Sequence, residues 1–337
     1  MDKMFERYSR QMLFAPIGQD GQARLQKSKV LIVGMGALGT AVANHLVRAG
    51  VGVVKFADRD FVELSNLQRQ MLFDEDDVRK ILPKAIAAER KLKKINRDIE
   101  IEGLVIDVTV ENINRLLDGI DLVIDGTDNF ATRFLLNDAA FKKEIPFIYG
   151  GVVGSRGMSA LFIPNKTACL RCFIEHEASS ETCDTVGVIS PIVDMIASYE
   201  ATEALKYLIG APQLRNTLIT IDLWQNRTFE LKVNHAKRNC PTCQKGEYPA
   251  LKGNHDDVVT TLCGRDSIQI KGKQNVSLED WASRLERIGK VKKTPFLLQV
   301  TLPEGERLVL FPDGRALVQG TNDVVRAKTL YARYIGL

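Results

Sequence analysis

Four of the six cysteines stand in two Cys-x-x-Cys pairs, Cys169-Leu-Arg-Cys172 and Cys240-Pro-Thr-Cys243. Four thiolates complete a tetrahedral shell around Zn2+ and leave no open position, so the pattern predicts a structural metal rather than a catalytic one. Disulfide or redox use is the competing reading. The charged start MDKMFERYSRQ has no apolar signal core, which favours a reducing, cytoplasmic setting where paired cysteines are metal ligands first. His176-Glu177 beside a Cys-x-x-Cys would suit a zinc deaminase, but that chemistry needs His-x-Glu and Pro-Cys-x-x-Cys, and this chain has neither. Cys183 lies in the polar run SSETCDTVGVISP, just before a proline-started helix. A thiol near a helix N-terminus can be a nucleophile with a lowered pKa; an incidental loop cysteine is the alternative. Cys263, in TTLCGRDSIQI, enters an alternating strand, so a partly buried strand cysteine is favoured over a persulfide loop.

A second set of residues points to phosphate. Gly34-Met-Gly36-Ala-Leu-Gly39 follows an apolar run and opens a helical pattern, and Asp58 closes the next strand. Such a loop brings phosphate to a helix N-terminus while the acid binds ribose hydroxyls. Alone it indicates an adenine nucleotide, with NAD the usual one. The stretch ADRDFVELSNLQRQ then adds Asp60, Ser65, Asn66, Arg69 and Gln70 as nucleotide-binding candidates, and Pro83-Lys84 starts a helix. A triphosphate has more charge to neutralise than a dinucleotide, and Arg69 and Lys84 are placed to do it. In GTDN (126–129), Asp128 suits Mg2+ and Asn129 suits a substrate carboxylate or phosphate. Taken singly, each of these residues is better explained by a surface ion pair or a helix cap.

The elements that must position these residues alternate. Strands are expected at 29–34, 51–58, 99–108, at DLVIDGTDN and at PFIYGGVVG, with helical patterns at 37–50, 74–95, 111–117 and 130–143. This predicts an α/β, Rossmann-like, doubly wound and mainly parallel sheet, whose carboxyl edge holds the ligand. Periodicity is lost over 169–185. A helix follows at 191–209, with strands near 217–222 and 227–233. Residues 1–248 form this domain with its structural zinc, and a small C-terminal α+β domain occupies 258–337. The smaller domain reads as β (258–270), α (277–288), β (295–302), β (306–311), β (315–319) and α (322–335). Leu278, Trp281, Leu285 and Ile288 in one helix, and Val325, Leu330 and Tyr334 in the other, are expected to form its core; docking a carrier or partner is its alternative use.

RYSRQ (7–11), GMGALG, Asp58, SNLQRQ, a lysine opening the next helix and TDN together resemble the MoeB/ThiF/HesA family, bacterial relatives of ubiquitin-activating enzymes, over roughly residues 5–245. The resemblance implies ATP-dependent adenylation of the C-terminal glycine carboxylate of a small ubiquitin-like (β-grasp) sulfur-carrier protein, of the thiamine or molybdopterin type. By similarity Asp58 binds ribose, Arg69 and Lys84 hold phosphates, and Asp128 coordinates Mg2+. Arg10 would reach into the partner subunit's ATP site, which implies a homodimer, and Cys183 would form a covalent link with the carrier. A carboxylate nucleophile needs no general base, in keeping with motifs that carry cations and acids but no histidine. One departure stands out: the family often has glycine before its lysine, whereas this chain reads Lys80-Ile-Leu-Pro83-Lys84, leaving Lys80 as a competing assignment.

A net charge of +4 over 337 residues is too small to argue for nucleic acid, and the basic run 90–94 reads as a solvated helix face. No apolar run is long enough for a membrane span. An NAD-dependent oxidoreductase with a structural zinc is the alternative enzyme, and a zinc-stabilised scaffold is a weaker third reading.

Overall fold

The computed structural model describes residues 3–174, 186–252, 259–262, 266–272 and 277–336. Cys183, Cys263, His176 and Glu177 lie outside these residues. Two compact units divide the chain: the first spans 3–174 and 187–252, the second 259–336.

The first unit begins with α1 (Lys3–Met12) and α2 (Gly18–Lys27), then β1 (Lys29–Val33), α3 (Ala37–Ala49) and β2 (Val53–Asp58). It continues through α4 (Glu75–Arg79), α5 (Lys84–Ile95), β3 (Glu100–Val105), α6 (Ile113–Leu116), β4 (Leu122–Asp125), α7 (Phe130–Lys142) and β5 (Phe147–Val153). It ends with β6 (Arg156–Phe162), α8 (Ser190–Ile209), β7 (Thr217–Asp222) and β8 (Arg227–Lys232). The sheet order is β3-β2-β1-β4-β5-β6-β7-β8. β3, β2, β1, β4 and β5 run parallel, and β6, β7 and β8 add antiparallel. The chain reverses its winding between β1 and β4, so the carboxyl ends of these strands open a crevice, the usual ligand position in such sheets. Val30, Leu31 and Ile32 are fully buried, as befits a central parallel strand covered on both faces. No helix among the described residues is long and apolar enough to cross a membrane.

Two elements differ from the sequence expectation. The helical pattern over 74–95 is broken into α4 and α5 by Ile81-Leu82-Pro83. Ile81 takes a left-handed φ of 51°, unusual for a β-branched residue. Leu82 accepts from Val62 N and Asp60 accepts from Lys84 N, both at 2.9 Å, so this break fastens the start of α5 to the end of β2. β6 was not foreseen. Its alternation is interrupted by Gly157, where a Cβ would collide with Ile196 of α8, so the residue that allows close packing also hides the strand.

In the second unit the sheet order is β11-β12-β13-β14-β10-β9, antiparallel throughout. Its elements are β9 (Val259–Leu262), β10 (Ser267–Lys271), α9 (Leu278–Leu285), β11 (Lys290–Lys293), β12 (Leu298–Thr301), β13 (Arg307–Leu310), β14 (Arg315–Gln319) and α10 (Val324–Tyr334). The expected strand 258–270 is two antiparallel strands, and the lysine-rich β11 is an addition at a sheet edge, where charge guards against further pairing. Leu278, Leu285 and Leu330 join Ile268, Val300 and Leu308 in one core, with Trp281, Ile288 and Tyr334 packed against it. Val325 does not belong there: it is 72% exposed, one residue into the first turn of α10 and off its apolar stripe.

Candidate functional site

Three loops meet at the carboxyl ends of β1, β2 and β4. Gly34 has φ 90°, and a Cβ on it would lie 2.6 Å from the carbonyl oxygen of Gly126. A Cβ on Gly39 would collide with the Gly34 carbonyl, so both glycines are required by close backbone approach. A Cβ on Gly36 would meet only ordinary contacts, and this residue caps the N-terminus of α3, where the first-turn N–H groups favour an anion. Gln70 lies beneath this turn, 2% exposed, with its Nε2 4.0 Å from the place a Gly36 Cβ would take.

Asp58 joins two of the loops. It accepts from Met35 N (2.6 Å) and from Asp60 N (2.7 Å), leaving each oxygen a further lone pair for a hydroxyl donor. Burial raises its pKa, Asp60 adds to the rise, and Lys84 opposes it. Lys84 is 2% exposed and its Nζ is 3.2 Å from Asp60 Oδ2. Lys80 instead faces solvent beside Asp76, at 3.8 Å. Of the two lysines, the structure brings Lys84 to the sheet edge.

The other expected ligands are placed less uniformly. Ser65 is exposed, and its carbonyl accepts from Arg69 Nη1 at 3.0 Å, so Arg69 folds back on its own turn. Asn66 is buried with its Oδ1 engaged by Glu63 N (3.0 Å), which makes it a local turn residue. Asn129 Oδ1 caps α7 by accepting from Thr132 N at 2.8 Å. Asp128 is exposed at the start of that helix. Arg10 is exposed on α1, whose Tyr8 and Gln11 fasten it: Asn96 Nδ2 donates to the Tyr8 hydroxyl (2.8 Å) and Gln11 Nε2 donates to Ala49 O (2.9 Å).

Behind the GTDN loop lies a buried charge network that sequence reasoning missed. Asp125 is fully buried and pairs with Arg133 Nε at 3.1 Å. Glu200 of α8 is also fully buried, and a Cβ on Gly150 would collide with its carboxylate. Neither Glu200 oxygen has a hydrogen-bond partner among the described residues. Burial, reinforced by Asp125, raises its pKa well above the usual glutamate value.

Cys169, Cys172, Cys240 and Cys243 form the second centre, with all four sulfurs within 4.8 Å of one another. Cys169–Cys240 and Cys172–Cys243 are both 3.5 Å apart. A tetrahedral zinc thiolate with bonds of about 2.3 Å has edges of about 3.8 Å, so the donor set fits the ion. Hydrogen bonding with Cys172 pushes the Cys169 thiol up, and contact with Cys169 lowers Cys172 and brings Cys240 down to about 6. Lys237 N donates to Cys172 Sγ at 3.4 Å. Both Cys-x-x-Cys turns are also bonded to one fully buried acid, Asp138 of α7. Arg171 grips it with Nε and Nη2, both at 2.9 Å, while Thr242 Oγ1 donates at 2.6 Å and Ala250 N at 2.8 Å. The first unit therefore extends past 248, the limit expected from sequence.

Residues 8–242 match the ThiF family. Along its length the chain is 46% identical over 338 aligned positions to the sulfur carrier protein ThiS adenylyltransferase of Bacillus subtilis (strain 168), covering 99% of this chain and 100% of that protein. The sulfur carrier protein ThiS adenylyltransferase of Escherichia coli (strain K12) is 37% identical over 244 residues, covering 72% of this chain and 96% of that protein. The crystal structure of E. coli MccB with MccA-N7isoASN superposes with a TM-score of 0.62 at 23% identity, over 71% of this chain and 74% of that one. That last likeness speaks for the fold alone.

Proposed function

We propose a reaction from one premise: the chain belongs to the ThiF family. It is an adenylyltransferase that activates the C-terminal glycine carboxylate of a small ubiquitin-like sulfur carrier, in thiamine or molybdopterin biosynthesis. The observation that carries this reading is the meeting of the Gly34–Gly39 turn, the Asp58–Asp60–Lys84 cluster and the Asp128 loop at one sheet edge. An NAD site would use the turn and Asp58 but would give Lys84 and Asp128 no task.

In the reaction a carboxylate oxygen attacks the α-phosphorus of ATP. A carbon-oxygen-phosphorus anhydride forms, and the bond to pyrophosphate breaks with its electron pair leaving on the pyrophosphate. No proton has to move, so the protein contributes positioning and charge. Asp58 orients the ribose, the α3 N-terminus and Lys84 face phosphate, and Arg69 swings off Ser65 to join them. Held by Asp128, Mg2+ would neutralise phosphate charge. The four cysteines hold a structural zinc. Arg10, exposed on an anchored helix, acts on the partner's site in a homodimer, and Cys183 takes the activated carrier in a later step.

Carrier-dependent exchange of pyrophosphate into ATP, with Bacillus subtilis ThiS as carrier, tests the reading. Wild type should catalyse it and Asp128→Ala should lose at least about a hundredfold. Mass spectrometry of the same mixtures should find a carrier adduct at Cys183. Undiminished exchange in Asp128→Ala would remove Asp128 from the site, and absence of the adduct would remove Cys183.

A further inference from the structure

Asp128 sits in a loop whose backbone is held from behind. Thr127, the residue before it, has each of its polar groups engaged. Its N–H and hydroxyl donate to Asp125 Oδ1 at 2.8 and 2.6 Å, and its carbonyl accepts from Arg133 Nη2 at 2.8 Å. On the other side, Asn129 is fixed as the cap of α7. Arg133 lies one turn into that helix and turns back beneath the loop. Its Nε bonds Asp125 Oδ2 at 3.1 Å, and Nη2 also reaches Gly150 O of β5 at 3.4 Å. The rings of Phe130 and Tyr149 lie 4.9 and 5.4 Å from its guanidinium carbon. One planar group thus ties together the end of β4, the loop and β5.

We propose that Arg133 is a positioning residue for the adenylation reaction, setting the loop backbone that presents Asp128 to Mg2+. The inference rests on the reading of Asp128 given above. The chemistry explains why arginine is needed. A lysine would still balance the Asp125 charge, but its ammonium cannot direct a planar fork at acceptors on three segments. Glu200 does not compete for the guanidinium: neither of its carboxylate oxygens has a hydrogen-bond partner among the described residues.

Arg133→Lys separates positioning from stability because it retains the buried cation. Amide hydrogen exchange of a peptide covering 122–129 should quicken about tenfold, the equivalent of one lost hydrogen bond, while β1 is unaffected. In the pyrophosphate-exchange assay with ThiS, the Mg2+ concentration for half-maximal rate should rise about tenfold with the carrier KM and zinc content unchanged. Methylguanidinium should restore part of the activity of Arg133→Ala. Should Arg133→Lys fail to fold, Thr127→Val removes only the hydroxyl bond to Asp125 and should shift both readouts several-fold in the same direction. Unchanged loop exchange in a folded variant overturns the inference whatever the activity. Faster loop exchange with wild-type Mg2+ dependence also overturns it, and leaves the reading of Asp128 standing if Asp128→Ala is inactive. A wild-type protein without carrier-dependent exchange removes the reading itself, and the inference with it.

Discussion

Replacing Asp138 by asparagine should loosen both halves of the four-cysteine centre without touching a cysteine. The Oδ1 side accepts Arg171 Nε and Asn137 Nδ2 at 2.9 Å and Thr242 Oγ1 at 2.6 Å; the Oδ2 side accepts Arg171 Nη2 at 2.9 Å and Ala250 N at 2.8 Å. Whichever way the amide turns, its NH2 group faces donors. The less costly orientation keeps the oxygen on the Oδ1 side and gives up the Nη2 and Ala250 bonds. One charge-assisted bond at about 1.5–3 kcal/mol and one neutral bond at about 1 kcal/mol bring the loss to roughly 2.5–4 kcal/mol. For a folding unit of this size that is a fall in Tm of roughly 5–16 °C. Groups that orient metal ligands commonly contribute about 10–100-fold to metal affinity, so zinc should also leave faster. Calorimetry gives the first quantity, and release to a chromophoric chelator gives the second. A variant with wild-type Tm and wild-type zinc release would refute the claim that Asp138 holds the two turns together.

Glu200→Gln should gain stability relative to wild type as pH rises. Burial holds the folded-state pKa above the ordinary 4.5, so above that value the unfolded chain is ionised while the folded chain keeps its proton. Wild type then loses about 1.4 kcal/mol per pH unit until the folded pKa is reached, and glutamine has no proton to lose. Urea titrations between about pH 5 and pH 8 measure the difference, and parallel behaviour of the two proteins would rule out the raised pKa. For Arg10, mixing inactive Arg10→Ala subunits with inactive Asp128→Ala subunits should restore part of the exchange activity, because a mixed dimer has one intact site. No recovery after verified subunit exchange would place Arg10 outside the partner's site.

The sheet edge proposed for the nucleotide was legible because its features are local. A glycine turn after an apolar strand, an acid at the end of the next strand and a lysine at a helix start are fixed by backbone geometry within a few residues. Lys84 could be chosen over Lys80 only in three dimensions, since the left-handed Ile81 that separates α4 from α5 leaves no mark in the helical period. Asn66 and Asn129 show the opposite limit. Their residue types suit a ligand, yet short polar side chains also satisfy nearby backbone N–H groups, and here their oxygens do so. β11 escaped notice because its Lys290-Val-Lys-Lys293 sequence has the composition of an exposed edge and little strand character of its own.

Helix α7 carries what the sequence concealed most fully. Every residue from Arg133 to Phe141 is buried, so this helix lacks the polar face by which a surface helix declares its orientation. Its three polar residues in that span, Arg133, Asn137 and Asp138, were therefore easily passed over as ordinary helical positions. In a buried helix they cannot be ordinary, because each unpaired polar group would be left without water. The destinations of their bonds are correspondingly specific. Arg133 reaches the Asp128 loop, Asn137 Oδ1 accepts from Leu170 N at 2.9 Å inside the first Cys-x-x-Cys turn, and Asp138 takes Arg171 and Thr242 from both turns. Arg133 lies more than one helical turn from Asp138, so each end can be disturbed separately by single substitutions. If α7 held only the metal centre, Arg133→Lys would leave the loop undisturbed; if it held only the loop, Asp138→Asn would leave zinc release at its wild-type rate.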